Sequence, residues 1–558
     1  MSAWRDPFTL AVLAAFAVVS VLGGAPELIE YDSAQFALAA FEHDVRLHQP
    51  HPPGFVFFIW ALQVLVAVTG DAYVALRALA VLQLVLAMVV LHGLAREAYD
   101  VVTARIAVVV FATSPVVLHH AFSTMIYPAE ALASAAVAWA CVRARRGNRR
   151  AFLLAALLLG LLGGLRQTAL VLLFPLVLVT AMRARLRPVD LAVGGLAGTA
   201  GIIAWLVPQL YYAGGLESYL EANRMLQTHV SAGSAMRAGL RRIEGNLHRG
   251  LTVVLLGVGA FRFMTLAVRR LRAGPDRDQA PPRGLDWPFA LAWVLPTAVF
   301  LLLYHFPKPG YALTIWPPLC LGLARVVVRV ATGPRAHRAL ALATALDLLV
   351  YFALPTAAVC CRRPWEVNET THPGPNTLPE RAYVPAAWNQ PMTWSPFQEA
   401  LVRGVLGKAD FFFDRTWSFY YDGHLRAMRE LGYPRADTLL IGGLFSRIAS
   451  YSMPDQPILH VDPNRPIRTV YYRDRRPTRL EDTVRLPAGI RQILIEGWNH
   501  ELIWLAPDPE PLPQGMPPPL RRRLSAYEVG DGPVDVWYFL RVMNAPDRAV
   551  RLLREPAR

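Results

Sequence analysis

Residues 48–69 read HQPHPPGFVFFIWALQVLVAVT, and whether the apolar run from Phe55 to Val68 crosses a membrane decides the placement of every later segment. Counted as a span, it puts three arginine-rich loops, Arg143–Arg150, Arg183–Arg187 and Arg269–Arg283, outside the cytoplasm. Counted as a helix lying in the outer interface, it leaves all three inside, as the positive-inside rule requires. The prolines of His51-Pro-Pro-Gly54 also make a poor start for a buried helix. The run is therefore placed in the interface.

The rest of the chain is consistent with a membrane protein. Of its 558 residues 54% are hydrophobic and only 17% charged, an excess that points to a bilayer. Apolar segments lie near 8–24, 73–94, 102–118, 128–142, 151–165, 168–182, 189–207, 250–268, 287–304, 310–328 and 339–359. The expected architecture is mainly α, a polytopic bundle of about 11 spans over residues 1–361, followed by a soluble extracytoplasmic α/β domain over 362–558. The first segment is expected to stay as an uncleaved helix rather than act as a signal peptide. The outer face then receives residues 25–72, 119–127, 166–167, 208–249 and 305–309 and the tail. The loop 208–249 carries Arg224, Arg237, Arg241, Arg242 and Arg249 against the charge rule, so either the topology differs there or these arginines have an anionic partner outside. In the tail, strands are expected at Thr438–Ile441, Pro457–Val461, Arg468–Tyr472, Gln492–Glu496 and Val534–Leu540. A helix is expected over Ser418–Leu431, and a loop over Pro511–Pro519.

The formal net charge of +15 sits largely in short loops between apolar segments, and no nucleic-acid-binding motif accompanies it. Nucleic acid is therefore excluded as a partner, and membrane lipids are expected instead. Cys141, Cys320, Cys360 and Cys361 have neither zinc-site spacing nor a disulfide pattern.

Chemistry-bearing residues gather at the outer face. The first outer loop holds Tyr31-Asp32-Ser33, then His48-Gln-Pro-His51-Pro-Pro-Gly54. Further along come Tyr127-Pro-Ala-Glu130, Gly163-Gly-Leu-Arg166 and Phe306-Pro-Lys308-Pro-Gly-Tyr311, the last followed by Pro317-Pro318. In this order the set resembles the GT-C glycosyltransferases, and within them family 39 and its bacterial relatives, which include protein O-mannosyltransferases and aminoarabinose transferases. The resemblance covers residues 8 to about 330. It implies an essential acid at Asp32 and a second acidic position at Glu130. It also implies a basic helix end at Arg166, and a late outer loop near the lipid phosphate that includes Lys308 and Tyr311. The single Asp32 departs from the paired acids of many protein mannosyltransferases, and the tail is not the repeat domain of some eukaryotic relatives. Both departures concern the acceptor more than the chemistry.

Sugar transfer from a polyprenyl-phosphate donor needs a base, positive charge for the departing phosphate, and a groove for the isoprenoid. Asp32 is the candidate base, with Glu130 as the second catalytic acid. Arg166, Lys308 and the arginines of 208–249 are candidate phosphate partners, and His48, His51 and Tyr311 candidate substrate contacts. Asp32, Glu130 and His51 could also ligate a divalent metal ion bridging acids and phosphate. Each residue has a plainer role available: Glu130 as a first-turn acid favoured by the helix dipole, the histidines as turn formers, His119 and His120 as interfacial residues, Arg166 as a snorkelling side chain. The expected activity is an inverting transfer to an extracytoplasmic acceptor, whether protein, lipid or envelope glycan, in a bacterial inner membrane. A transporter or flippase of lipid-linked saccharides is the alternative, but transporters place ionisable groups near mid-membrane on broken helices. A membrane-anchored binding protein would not need so many helices. With the amino terminus inside and an odd number of spans, a reporter active only in the cytoplasm and fused after Arg558 should be silent. Activity there would reverse the topology.

Overall fold

The structure is a computed structural model that describes residues 6–25, 28, 31–232, 239–273, 285–304, 309–330, 334–353, 435–442, 444–461, 469–473, 476–480, 483–485, 492–496, 502–506, 521–523 and 533–535. The chain divides into two compact units. One comprises Met1–Pro26, Pro52–Val359 and Pro396–Arg415, and the other Glu27–His51, Cys360–Ser395 and Thr416–Arg558. The expected domain boundary at 361/362 and the helix expected at Ser418–Leu431 lie outside the described residues.

The first unit is helical. Its elements are α1 (Pro7–Leu22), then α3 (Val56–Thr69), α4 (Ala72–Ala98), α5 (Val101–Ala112), α6 (Pro115–Phe122), α7 (Pro128–Arg145), α8 (Arg149–Leu165), α9 (Gln167–Arg183) and α10 (Pro188–Tyr212), with α2 (Tyr31–Ala39) belonging to the second unit. It continues with α11 (Leu216–Ala232), α12 (Leu240–Val258), α13 (Ala260–Ala273), α14 (Trp287–Leu303), α15 (Trp316–Val330) and α16 (Pro334–Ala353). Among the described residues three helical spans are long and apolar enough to cross a membrane alone, or four if the bent pair α5–α6 counts as one. At 14 residues α3 is among the shorter apolar helices. It extends only about 21 Å at 1.5 Å per residue, against a hydrocarbon layer of about 30 Å.

The ends of α1 and α4 fix the path of the chain. Tyr73 Oη donates to Ala25 O, and Arg77 Nη2 donates to Ser20 O and Val21 O, both at 2.9 Å. The segment between α1 and α4, which includes α3, therefore leaves and returns at the same end of the bundle. The opposite end carries the arginines. Arg105 of α5 pairs with Asp6, just before α1, at 2.7 Å. That guanidinium holds the Asp6 carboxyl well below the usual carboxylate range. Arg145 and Arg183 both reach Asp286, at 2.7 and 3.0 Å, and Arg149 reaches Asp190 at 3.4 Å. Asp100, Asn148 and Asp286 cap helix starts at this end, each accepting a backbone N–H.

Close packing needs small residues here, because in lipid no hydrophobic gain drives helices together. A Cβ on Gly160 of α8 would sit 2.1 Å from Gly198 O of α10, so glycine sets how near these helices come. Trp205 Nε1 of α10 then donates to Gly160 O at 2.9 Å.

Two expected spans are broken. Segment 102–118 bends by 56° between α5 and α6, and segment 250–268 breaks at Gly259 between α12 and α13. Each break frees backbone groups that need partners in a region without water. Arg262 of α13, 1% exposed, donates from Nη1 to Val110 O (3.3 Å) and from Nη2 to Thr113 O (3.1 Å) at the first break. Asp347 of α16 accepts the N–H groups of Phe261 and Arg262 (2.9 and 3.0 Å) at the second.

The second unit contains α2, a 3-10 turn over Val45–Leu47, and a seven-stranded mixed sheet of order β4-β3-β2-β1-β6-β7-β8. Its strands are β1 (Thr438–Gly442), β2 (Ile458–Val461), β3 (Thr469–Arg473), β4 (Arg476–Leu480), β6 (Gln492–Glu496), β7 (Leu502–Ala506) and β8 (Arg521–Arg523), while β5 (Thr483–Arg485) pairs with β9 (Pro533–Asp535). β1 runs parallel to β2 and β6, and β3 and β7 return antiparallel beside them. Leu439, Leu440, Ile458 and Leu459 are fully buried, consecutive apolar residues of the kind parallel strands show when covered on both faces. The expected strands from 438 to 496 are present; the last is three residues at Pro533–Asp535, beyond which Val536–Leu540 lies outside the described residues. A helix that the sequence did not announce, α17 (Leu444–Ser452), follows β1 and packs on α2.

Replacing Asp347 by Ala removes the acceptor for two amides and strips Arg262 of its counter-ion. This should cost about 3–5 kcal/mol, as breaking a buried pair does. Thermal unfolding of the purified protein reads it, and an unchanged midpoint would make the breaks self-sufficient.

Candidate functional site

In the helical unit three of the expected residues meet. Glu130 lies in the first turn of α7, 2% exposed, and Arg166 in the extended residue joining α8 to α9, 7% exposed. Arg166 Nε stands 2.7 Å from Glu130 Oε1, while its N–H donates to Thr168 Oγ1 at 3.1 Å. The pair is thus held by charge, with the directed hydrogen bond going to Thr168. The guanidinium carbon lies 4.2 Å from the ring centre of Tyr311 and 4.8 Å from that of Tyr127, a double cation–π contact.

The 3-10 segment Pro309–Ile315 closes the cluster. Thr314 Oγ1 donates to Glu130 Oε2, Ser134 Oγ donates to Thr314 O at 2.6 Å, and Trp293 Nε1 donates to Ser134 Oγ at 2.8 Å. Gly310 passes so close to the Tyr127 ring that an added Cβ would lie 2.2 Å from its Cγ. His120 meets the far side of this cluster, its ring 5.3 Å from Tyr127. His119 and His120 were expected at the interface; they are buried instead, 5% and 3% exposed, because the short helix α6 is enclosed by neighbouring helices. Neither Tyr127, Thr314 nor His120 was singled out as a site residue from the sequence. The proline that opens α7 and the Pro-Gly pair before Tyr311 were the available signals.

The second unit holds the other expected residues. Asp32 is in the first turn of α2, its side chain 27% exposed. His51 Nδ1 lies 3.9 Å from Asp32 Oδ1 and 2.8 Å from Gln35 Oε1. The His51 ring also packs on Phe36 at 5.5 Å. His48 adopts a left-handed conformation, φ 57°, at the end of the Val45–Leu47 turn, where its N–H donates to Val45 O. Asp44 closes that turn by accepting from Arg46 N at 2.8 Å and pairing with Gln49 through backbone hydrogen bonds of 2.7 and 2.9 Å.

Lys308 lies outside the described residues, as do Arg237 and the side chains of Arg241, Arg242 and Arg249; Arg224 is exposed on α11. Among the described residues no three His, Cys, Asp or Glu side chains group to hold a metal ion. Glu130 already has Arg166 as its cation, and Asp32 with His51 makes two donors rather than three.

The family model described as dolichyl-phosphate-mannose-protein mannosyltransferase matches residues 50–212, an interval that contains His51, Glu130 and Arg166 but not Asp32 or Tyr311. Among curated proteins none matches the sequence. The crystal structure of ArnT from Cupriavidus metallidurans bound to undecaprenyl phosphate aligns with a TM-score of 0.54 at 15% identity, over 82% of this chain and 86% of that one. The apo state of the same protein gives 0.50 at 14% identity, over 81% and 85%. At such identities the likeness is one of fold. Over most of its length the chain has the fold of ArnT, and residues 50–212 are similar to the mannosyltransferase family, a combination that fits a glycosyltransferase. The chain resembles the GT-C superfamily and, within it, glycosyltransferase family 39, as its motifs implied.

Arg166→Met would strand the Glu130 charge and should destabilise by about 3–5 kcal/mol. The double variant Glu130→Gln/Arg166→Met removes both charges and should regain most of that stability. If the pair serves catalysis, the double variant still lacks sugar transfer. Full activity in it, measured on the purified protein, would make the pair structural.

Proposed function

We propose that the protein transfers a sugar from a polyprenyl-phosphate donor to an extracytoplasmic acceptor with inversion at the anomeric carbon, Asp32 acting as base. The observation that carries the proposal is the buried Glu130–Arg166 pair between two tyrosine rings, at one end of helices with the GT-C fold. That end is the one opposite the arginine loops, which the charge rule assigns to the outer face of a bacterial inner membrane. ArnT, of the same fold, is described with undecaprenyl phosphate bound, which supports a polyprenyl phosphate as the lipid here.

In the reaction the acceptor oxygen or nitrogen attacks the anomeric carbon as its proton passes to the Asp32 carboxylate. The bond between that carbon and the phosphate oxygen breaks, and the electron pair leaves with the lipid phosphate. Half-open exposure suits Asp32 for meeting an acceptor, and His51 fixed by Gln35 places an imidazole beside it. Arg166 is suited to the developing negative charge on the phosphate, since guanidinium binds phosphate in a planar fork and here sits in surroundings of low dielectric. Lys308 shares that role in the proposal. Whether transfer needs a divalent cation is read by assays with and without chelator.

Asp32→Asn keeps the side chain's size and removes proton acceptance. Transfer should fall by about 10²–10⁴-fold, the usual contribution of a general base, with donor binding retained. Asp32→Glu should keep partial activity. The assay uses purified protein, a polyprenyl-phosphate sugar and an envelope extract as acceptor. Undiminished transfer by Asp32→Asn would remove this residue from the chemistry and make Glu130 the leading acid.

A further inference from the structure

At the arginine-rich end, charge is unevenly matched. Six arginines share three carboxylates: Arg143 and Arg146 contact Glu97, Arg145 and Arg183 contact Asp286, Arg149 and Arg187 contact Asp190. Arg150, exposed at the start of α8, has no carboxylate partner among the described residues. It lines, with Arg143 and Asn148, a cleft of about 350 Å³ between α4, α7 and α8. The walls beyond these polar groups are Val90, Ala136, Trp139, Leu154 and Leu158. From Arg150 to Leu158 they run about 12 Å along the helix, at 1.5 Å per residue.

The two halves of this cleft call for different chemistries in one ligand. Arg143 lies over the Trp139 ring, its guanidinium carbon 5.6 Å from the centre, and Trp139 Nε1 is tied to Glu97 Oε2 at 2.8 Å. One cation is therefore fixed on the wall of the same cleft as Arg150, which has no carboxylate partner among the described residues. Leu154 is 48% exposed, so the apolar part opens sideways to where lipid chains run. A free phosphate would leave these walls uncovered, and a neutral lipid would leave Arg150 unmatched. The donor phosphate of the proposed reaction belongs at the other end of α8, at Arg166, a helix length of 17 residues away.

We propose that this cleft binds an anionic phospholipid of the cytoplasmic leaflet. Its phosphate lies between Arg143 and Arg150, with the Asn148 side-chain amide beside it, and an acyl chain lies along Trp139 and Leu154. Basic pockets between membrane helices on the cytoplasmic side favour such head groups. The site is independent of the sugar-transfer chemistry.

The test is lipid retention by the full-length protein, purified from mixed vesicles of phosphatidylglycerol and phosphatidylcholine and read by native mass spectrometry. Wild type should keep phosphatidylglycerol preferentially. Arg150→Gln should weaken that preference roughly fivefold, the share of one arginine near an anionic surface. Leu154→Trp, which fills the apolar part and leaves the charges, should lower retention as well. Should that variant fail to fold, Arg150→Gln, an exposed substitution, decides alone. Equal retention of the two lipids, or wild-type retention in Arg150→Gln, overturns the proposal. A second series with polyprenyl phosphate added separates the remaining source: if that lipid displaces phosphatidylglycerol here and is lost in Arg150→Gln, the cleft is a donor subsite and the phospholipid assignment is wrong. Because sugar transfer is not the readout, failure here leaves the glycosyltransferase proposal untouched, and the reverse also holds.

Discussion

Water is missing from the hydrocarbon layer, so each backbone group freed inside it has to find a partner within the protein. The bend between α5 and α6 and the break at Gly259 both free such groups, and Arg262 and Asp347 serve them from different helices. The two side chains are also ion partners at 3.9 Å, so the charge that each brings is offset by the other. Remove either and the second is left as an uncompensated charge in a medium of low dielectric, which is far costlier than the loss of one hydrogen bond. The break before α6 has a use. It lets a short helix carry His120 to the ring of Tyr127, and hence to the Arg166 cluster.

The same constraint governs the Glu130–Arg166 pair. Two buried charges with additional partners from Thr168, Thr314 and two aromatic rings form a satisfied group, and a satisfied buried pair adds little net stability over an apolar one. What the group does provide is fixed orientation and a concentrated field. Both properties matter to an anion arriving from the membrane, since preorganised charge needs no rearrangement when negative charge develops. Gly310 serves this arrangement sterically, letting the 3-10 segment lie directly on Tyr127.

Much of the bundle was legible because lipid enforces simple rules. The arginines of 143–150 and 183–187 located one end, and with them Phe55–Val68 had to lie at the other; the contact of Tyr73 with Ala25 meets that requirement. Glu130, Arg166 and Tyr311 were readable as members of motifs, though their meeting was not, since Arg166 reaches Tyr311 across 145 positions of chain. Arg262 was invisible as a structural residue. A lone arginine inside an apolar run shows no partner in the sequence, and only the neighbouring break reveals carbonyls for it to serve. Segment 250–268 reads as one apolar helix for the same reason, because a glycine that breaks a membrane helix is indistinguishable in sequence from one that merely packs.

The segment carrying Asp32 was the most consequential thing the chain order concealed. Contacts assign Glu27–His51 to the same unit as the carboxy-terminal sheet. Within that unit Arg447 Nη2 of α17 donates to Leu47 O at 2.9 Å, a bond spanning 400 positions, and the Tyr31 ring stacks on His460 at 6.2 Å. His460 is itself fixed by Ser446, 2.6 Å from its Nδ1. The residues on both sides of Asp32 thus take their positions from side chains at the start of the α/β domain, through α2 packed on α17. A base has to be held to within a fraction of an ångström of its productive geometry, and a 25-residue segment with one short helix cannot hold it unaided. The carboxy-terminal domain therefore acts on the proposed chemistry as a scaffold for the acid, whatever else its sheet binds.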